Sequence, residues 1–115
     1  MMIRVMLVAL VLSGLMLGSQ AKAEVMKGSQ LLADCHDGDN RSARDSPYKG
    51  GTCSGYITAV ADALVPAGVY CVPDQVKAGQ VLDIVKLYIE HHPERQYMTA
   101  PKLIVEALTE KFPCN

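Results

Sequence analysis

Apolar residues recur along this chain in two ways: one dense run near the start, then four stripes at helical spacing separated by polar turns. The clearest stripe is Cys53, Tyr56, Ile57, Val60, Ala61, Leu64 and Val65, at i, i+3, i+4, i+7, i+8, i+11 and i+12. It predicts a helix capped by Thr52 and stopped by Pro66-Ala67-Gly68. Pro47 offers an earlier start, which Gly50-Gly51 weakens. Gly55 and Ala59, one turn apart, would let another helix approach closely. A shorter stripe of Leu31, Leu32 and Cys35 predicts a helix over 27–36, closed by the polar turn Asp37-Gly38-Asp39-Asn40. Val81, Leu82, Val85, Tyr88 and Ile89 predict a third helix over 74–92, with Asp74 as N-cap, a weak point at Gly79 and a stop at Pro93. The fourth begins at Thr99, tolerates Pro101 in its first turn, presents Ile104, Val105, Leu108 and Phe112, and ends at Pro113. No strand alternation, repeat or linker interrupts the series. The reading is all-α: one small four-helix domain.

The dense run belongs to a different kind of segment. Arg4 precedes the apolar stretch Val5 to Leu17, and Ser19-Gln20-Ala21-Lys22-Ala23 ends in a small-x-small site. Residues 1–23 therefore read as a signal peptide, cleaved before Glu24. The stretch falls short of the about 20 apolar residues that a membrane span needs. No cysteine follows it to carry a lipid anchor. The expected product, residues 24–115, is one soluble domain outside the cytoplasm, held to no membrane.

Composition then narrows the partners. Arg4 and Lys22 leave with the leader, so 11 basic residues fall to nine against all 12 acidic ones, a net charge of −3. The remaining bases are scattered and the five tyrosines carry no Arg or Lys run among them, which argues against nucleic acid.

All four cysteines (Cys35, Cys53, Cys71 and Cys114) lie in the mature part. A short exported chain buries a modest core, and an even cysteine count in it reads as disulfides. Zinc ligation would show close pairs such as C-x-x-C, whereas these gaps are 18, 18 and 43 residues. A Cys–His nucleophile would leave one cysteine unpaired. Helices joined by short turns pack antiparallel, which brings the end of the first near the start of the second. The approach to the third likewise lies near the end of the fourth. The expected bridges are Cys35–Cys53 and Cys71–Cys114, with loop-closure contributions of about 3 and about 4 kcal/mol.

Little else invites chemistry. Asp37, Asp39 and Asn40 suggest a calcium loop, but Arg41 and Tyr48 stand where that loop needs oxygen ligands. His91 and His92 are adjacent on a helix, pointing about 100° apart, with His36 distant in sequence. A helix C-terminus favours a protonated histidine, which accounts for them without a metal. No G-x-S-x-G, H-E-x-x-H or Gly-rich phosphate loop is present. A non-enzymatic binder without cofactor or metal is the expectation.

Five islands sharpen it: Cys53-Ser54-Gly55-Tyr56-Ile57 with Ala61-Asp62-Ala63-Leu64; Tyr70-Cys71-Val72-Pro73; Gly79-Gln80-Val81; His92-Pro93-Glu94-Arg95; and Ala107-Leu108 leading to Phe112-Pro113-Cys114. In this order, behind a leader, they resemble the Rap/Tai immunity proteins of bacterial type VI secretion, over nearly the whole mature domain. One departure is Lys77, where the family pattern would place a threonine capping the third helix. The resemblance implies a periplasmic, mainly helical protein, often a homodimer. It implies a partner too: a peptidoglycan amidase effector whose catalytic groove the inhibitor occludes with a helix and a neighbouring loop.

The family motifs fall mostly on core, cysteine and turn positions, so the contact residues are read from surface chemistry. The connection from His91 to Met98 is polar and carries Arg and Tyr, residue types enriched at hot spots. His92, Glu94, Arg95, Gln96 and Tyr97 are the candidate contacts. The plainer reading of the same stretch is a helix–helix connection with Arg95 in a structural ion pair. Tyr56 and Tyr88 lie on apolar stripes and are expected to pack in the core. Two other roles suit a small exported helical protein: an acid-stress-type chaperone, or an orphan binding module. Three histidines and no acidic cluster offer little to drive an acid switch.

Overall fold

A computed structural model describes residues 24–40 and 45–115; the expected signal peptide, residues 1–23, lies outside them. Among these residues four helices follow in order: α1 (Gly28–Asp39), α2 (Ser46–Leu64), α3 (Ala78–His91) and α4 (Ala100–Lys111). Single 3-10 turns, Val65–Ala67 and Pro93–Arg95, follow α2 and α3. No strand is present among the described residues, only one antiparallel bridge between Lys27 and Thr99.

α1 and α2 form one antiparallel pair. Ser46 Oγ donates to the Gly38 carbonyl at 2.9 Å, Lys49 reaches Asp34 at 3.2 Å, and Cys53 is bonded to Cys35. α3 and α4 form the other. The Cys71–Cys114 bridge and the Cys71 N–H donating to the Phe112 carbonyl at 2.9 Å tie the approach to α3 to the end of α4. Both expected disulfides are thus present, for the topological reason that predicted them.

The core gathers one face of each helix: Leu31 and Cys35; Cys53, Ile57 and Ala61; Val85 and Ile89; Ala100, Leu103, Ile104, Ala107 and Leu108. The stripes predict most of it. Val65 departs, half-exposed because the chain has already left the α2 spiral there. Gly68, at φ +67°, completes that exit in a left-handed conformation that glycine adopts without strain.

Helix boundaries shift in instructive ways. α1 continues through Asp37, Gly38 and Asp39 rather than stopping before them, and Asn40 closes it by donating to the His36 carbonyl at 3.2 Å. α2 begins at Ser46, with Pro47 in its first turn. Thr52 is inside the helix, its hydroxyl donating back to the Tyr48 carbonyl at 3.0 Å rather than capping. Gly55 and Ala59 face solvent, and a methyl group at Gly55 would meet nothing within 4 Å. The close helix crossing lies elsewhere, where Gly38 meets Gly50. Asp74 sits in a turn ahead of α3, whose N-cap is Lys77. Lysine has no acceptor to offer, but the Gln80 side chain reaches back to accept the Lys77 N–H at 2.8 Å. Lys27 and Gln30 repeat the arrangement at the start of α1, also at 2.8 Å.

Tyr70 is a core residue that no stripe announces, because it lies between helices. It is 2% exposed, and its hydroxyl donates to the Ala61 carbonyl at 2.5 Å. Burial, with Asp62 adding to it, raises its pKa above the ordinary value. A phenol whose pKa is higher folded than unfolded stabilises fully below about pH 10 and loses that contribution as pH climbs through the folded value. Tyr70→Phe should cost about 1 kcal/mol at neutral pH. The variant should also lose less stability than wild type between pH 7 and 10.5, as urea midpoints would show. A larger loss in the variant would sink this account.

Candidate functional site

The connection between α3 and α4 turns sharply because Pro93 ends one helix and Pro101 suits the first turn of the next. Inside it, the Gln96 N–H donates to the Pro93 carbonyl at 3.4 Å and the Met98 N–H to the Arg95 carbonyl at 2.9 Å. The segment leading into α1 lies against it. Gly28 N–H donates to the Met98 carbonyl at 2.9 Å, Ser29 N–H to the Gln96 carbonyl at 3.0 Å, and Ala100 N–H to the Met26 carbonyl at 2.7 Å. Gly28 permits this approach: a methyl group there would collide with the Leu103 side chain and sit 3.3 Å from the Gln96 carbonyl oxygen.

The five candidate contacts divide into two groups. Three are engaged within the domain. The His92 ring packs on Tyr88, centroids 4.2 Å apart, with Nδ1 2.7 Å from the Tyr88 carbonyl. Gln96 donates its side-chain amide to the Ile89 carbonyl at 3.1 Å, satisfying an acceptor near the end of α3. Arg95 pairs with Glu106 of α4 at 2.8 Å and donates to the Tyr88 hydroxyl at 3.2 Å, while that hydroxyl donates to the other Glu106 oxygen at 3.2 Å. Burial and then the Glu106 charge raise the Tyr88 pKa, with Arg95 opposing, so the phenol stays a donor at neutral pH. The structural ion pair foreseen for Arg95 is therefore present. The other two residues face outward: Glu94 is exposed and Tyr97 is 75% exposed.

Sequence reasoning missed Glu106 and Tyr88 as members of this site. Neither carries a local clue, since they meet Arg95 only through the packing of α3 on α4. Elsewhere, Lys77, Lys86, Asp39 and Asp83 help line a mixed-charge cleft of about 500 Å³ between α3 and the first helix pair. Lys86 is already paired with Asp39 across it at 2.6 Å. His36 is paired with Glu90 at 2.8 Å. No group of three or more His, Cys, Asp or Glu among the described residues could hold a metal ion, and none of the four cysteines is free.

Compared with protein families, residues 27–114 match the model of the Rap1a immunity proteins. The chain belongs to that family. No curated protein matches it. The matched span runs from the Lys27 cap of α1 to Cys114, so it takes in both disulfides and the whole α3–α4 turn. A Rap1a immunity protein binds a cognate effector protein, and such proteins are typically periplasmic and non-enzymatic. No helix among the described residues is long and apolar enough to cross a membrane.

Proposed function

We propose that this chain is a periplasmic immunity protein whose partner is a peptidoglycan amidase effector of type VI secretion, and that it acts by occluding the amidase active site. The observation that carries this reading is the Rap1a family match over residues 27–114. Two disulfides and the expected leader suit an oxidising compartment outside the cytoplasm. The domain supplies no chemistry of its own; it excludes substrate. A homodimer is the proposed resting form.

The α3–α4 turn is the proposed contact, with Tyr97 as its anchor and Glu94 beside it. An exposed tyrosine offers large amphipathic area at low rotamer cost, and such residues dominate interface energies. His92, Arg95 and Gln96 contribute through the shape of the turn.

The test begins with a native pull-down, using residues 24–115 with disulfides intact on an extract of the source bacterium at neutral pH. Recovery of one cell-wall amidase, inhibited near one-to-one by added domain, is the expected result. Recovery of many unrelated proteins only after acidification would overturn it in favour of a chaperone. Tyr97→Ala should weaken binding about thirtyfold, or about 2 kcal/mol. Its urea midpoint should stay unchanged, because the ring buries little in the domain. Wild-type affinity in that variant would place the contact elsewhere on the surface.

A further inference from the structure

Tyr97 combines two properties that suit an anchor. Its side chain is 75% exposed, yet the backbone on both sides is fixed by hydrogen bonds. Gln96 is held on one side by Ser29 and Ile89, and Met98 on the other by Gly28 and Arg95. A flexible turn would order its anchor only on binding, and that ordering weakens association. Here most of it is already done in the free domain.

The restraint that closes this arrangement from the α4 side is Glu106. Its two oxygens take different partners: Oε1 the Arg95 guanidinium at 2.8 Å, Oε2 the Tyr88 hydroxyl at 3.2 Å. Arg95 Nη1 reaches the same hydroxyl at 3.2 Å, which completes a triangle. The triangle joins three elements: α3 through Tyr88, the turn through Arg95, and α4 through Glu106. Both charged side chains are largely covered, 37% and 24% exposed, so the pair is less screened than one in open solvent.

We infer that Glu106 is a positioning residue for partner binding: through Arg95, and together with Tyr88, it holds the α3–α4 turn in the one shape that presents Tyr97. This inference rests on the reading of that turn as the contact surface. Glu106 itself need not touch the partner. Its effect reaches the interface as the fraction of domains whose turn is already binding-competent, and apparent affinity scales with that fraction.

Glu106→Gln tests it, because the amide keeps an acceptor for Tyr88 and loses the charge that holds Arg95. The first readout is amide hydrogen exchange on the free domain, residues 24–115 with disulfides intact. The expected result is exchange at Gly28, Ser29 and Met98 close to the unprotected rate, with Val85 and Leu108 still protected. The second is affinity for the purified amidase, where about a tenfold loss is expected, the value for a turn that is binding-competent about one time in ten. Unchanged exchange at those three amides would overturn the inference whatever the partner does. Faster exchange with unchanged affinity, where Tyr97→Ala still binds weakly, would overturn it too, because the turn would then need no holding. If Tyr97→Ala also binds normally, what fails is the choice of contact surface.

Discussion

Replacing Cys71 and Cys114 together by alanine should lower the unfolding free energy by about 4 kcal/mol, the loop-closure contribution of a bridge spanning 43 residues. Both cysteines are exposed, so alanine leaves no hole in the core and the measurement isolates the cross-link. Small domains sit at the lower end of the usual range of about 5–15 kcal/mol, which makes this loss a large part of the whole. Cys35 and Cys53 close a shorter loop of 18 residues, for about 3 kcal/mol, but they are buried. Alanines at that pair would lose core packing as well. Urea titration of the oxidised protein and the Cys71→Ala/Cys114→Ala variant gives the number directly. A fall below about 1 kcal/mol would mean that the unfolded chain keeps its ends together without the bridge.

The second large effect comes from a glycine. A methyl group at Gly38 would run into the Gly50 Cα, lie 2.6 Å from the Gly50 nitrogen and 3.2 Å from the Lys49 carbonyl carbon. All three are backbone atoms, so no side chain can rotate away and the two helices must part. Gly38→Ala should cost about 2–3 kcal/mol. The crossing is not symmetric. A methyl at Gly50 would find its nearest neighbour, the Gly38 Cα, at 3.5 Å, an ordinary contact. Gly50 is inside α2, where alanine is the better helix former, so Gly50→Ala should gain about 0.5–1 kcal/mol. Opposite signs at two facing glycines are the expected result of thermal or urea unfolding. Equal losses at both would refute the crossing described here.

This crossing also shows where the sequence stopped being legible. Periodicity revealed which faces of the helices are buried, because Cys53, Ile57 and Ala61, or Ile104 and Leu108, repeat with the helical turn. Glycine carries no such contrast, so Gly38 read as the end of α1 and Gly50 as a weak start for α2. In the fold each supports the other's place in a helix. Cap assignment failed for a related reason. Asp74 and Thr52 were the residues with acceptors to offer, whereas α3 begins at Lys77 because Gln80 supplies the acceptor from inside the helix. The disulfide pairing was readable because it follows from antiparallel hairpins and needs no side-chain detail. At the candidate site, residue type singled out Arg95 and Tyr97 alike. Only packing separates them, since the Arg95 partners lie seven and 11 residues away on different helices.

The order of the bridges bears on how such a chain matures. Cys35 pairs with Cys53 and Cys71 with Cys114, each with the next cysteine along, so neither loop encloses or crosses the other. A chain threaded N-terminus first into an oxidising compartment presents its thiols in that same sequence. An oxidase that joins each newly arrived thiol to the one waiting makes the native pairs without reshuffling. Cys71 waits longest, because its partner Cys114 lies 43 residues on, against 18 between Cys35 and Cys53.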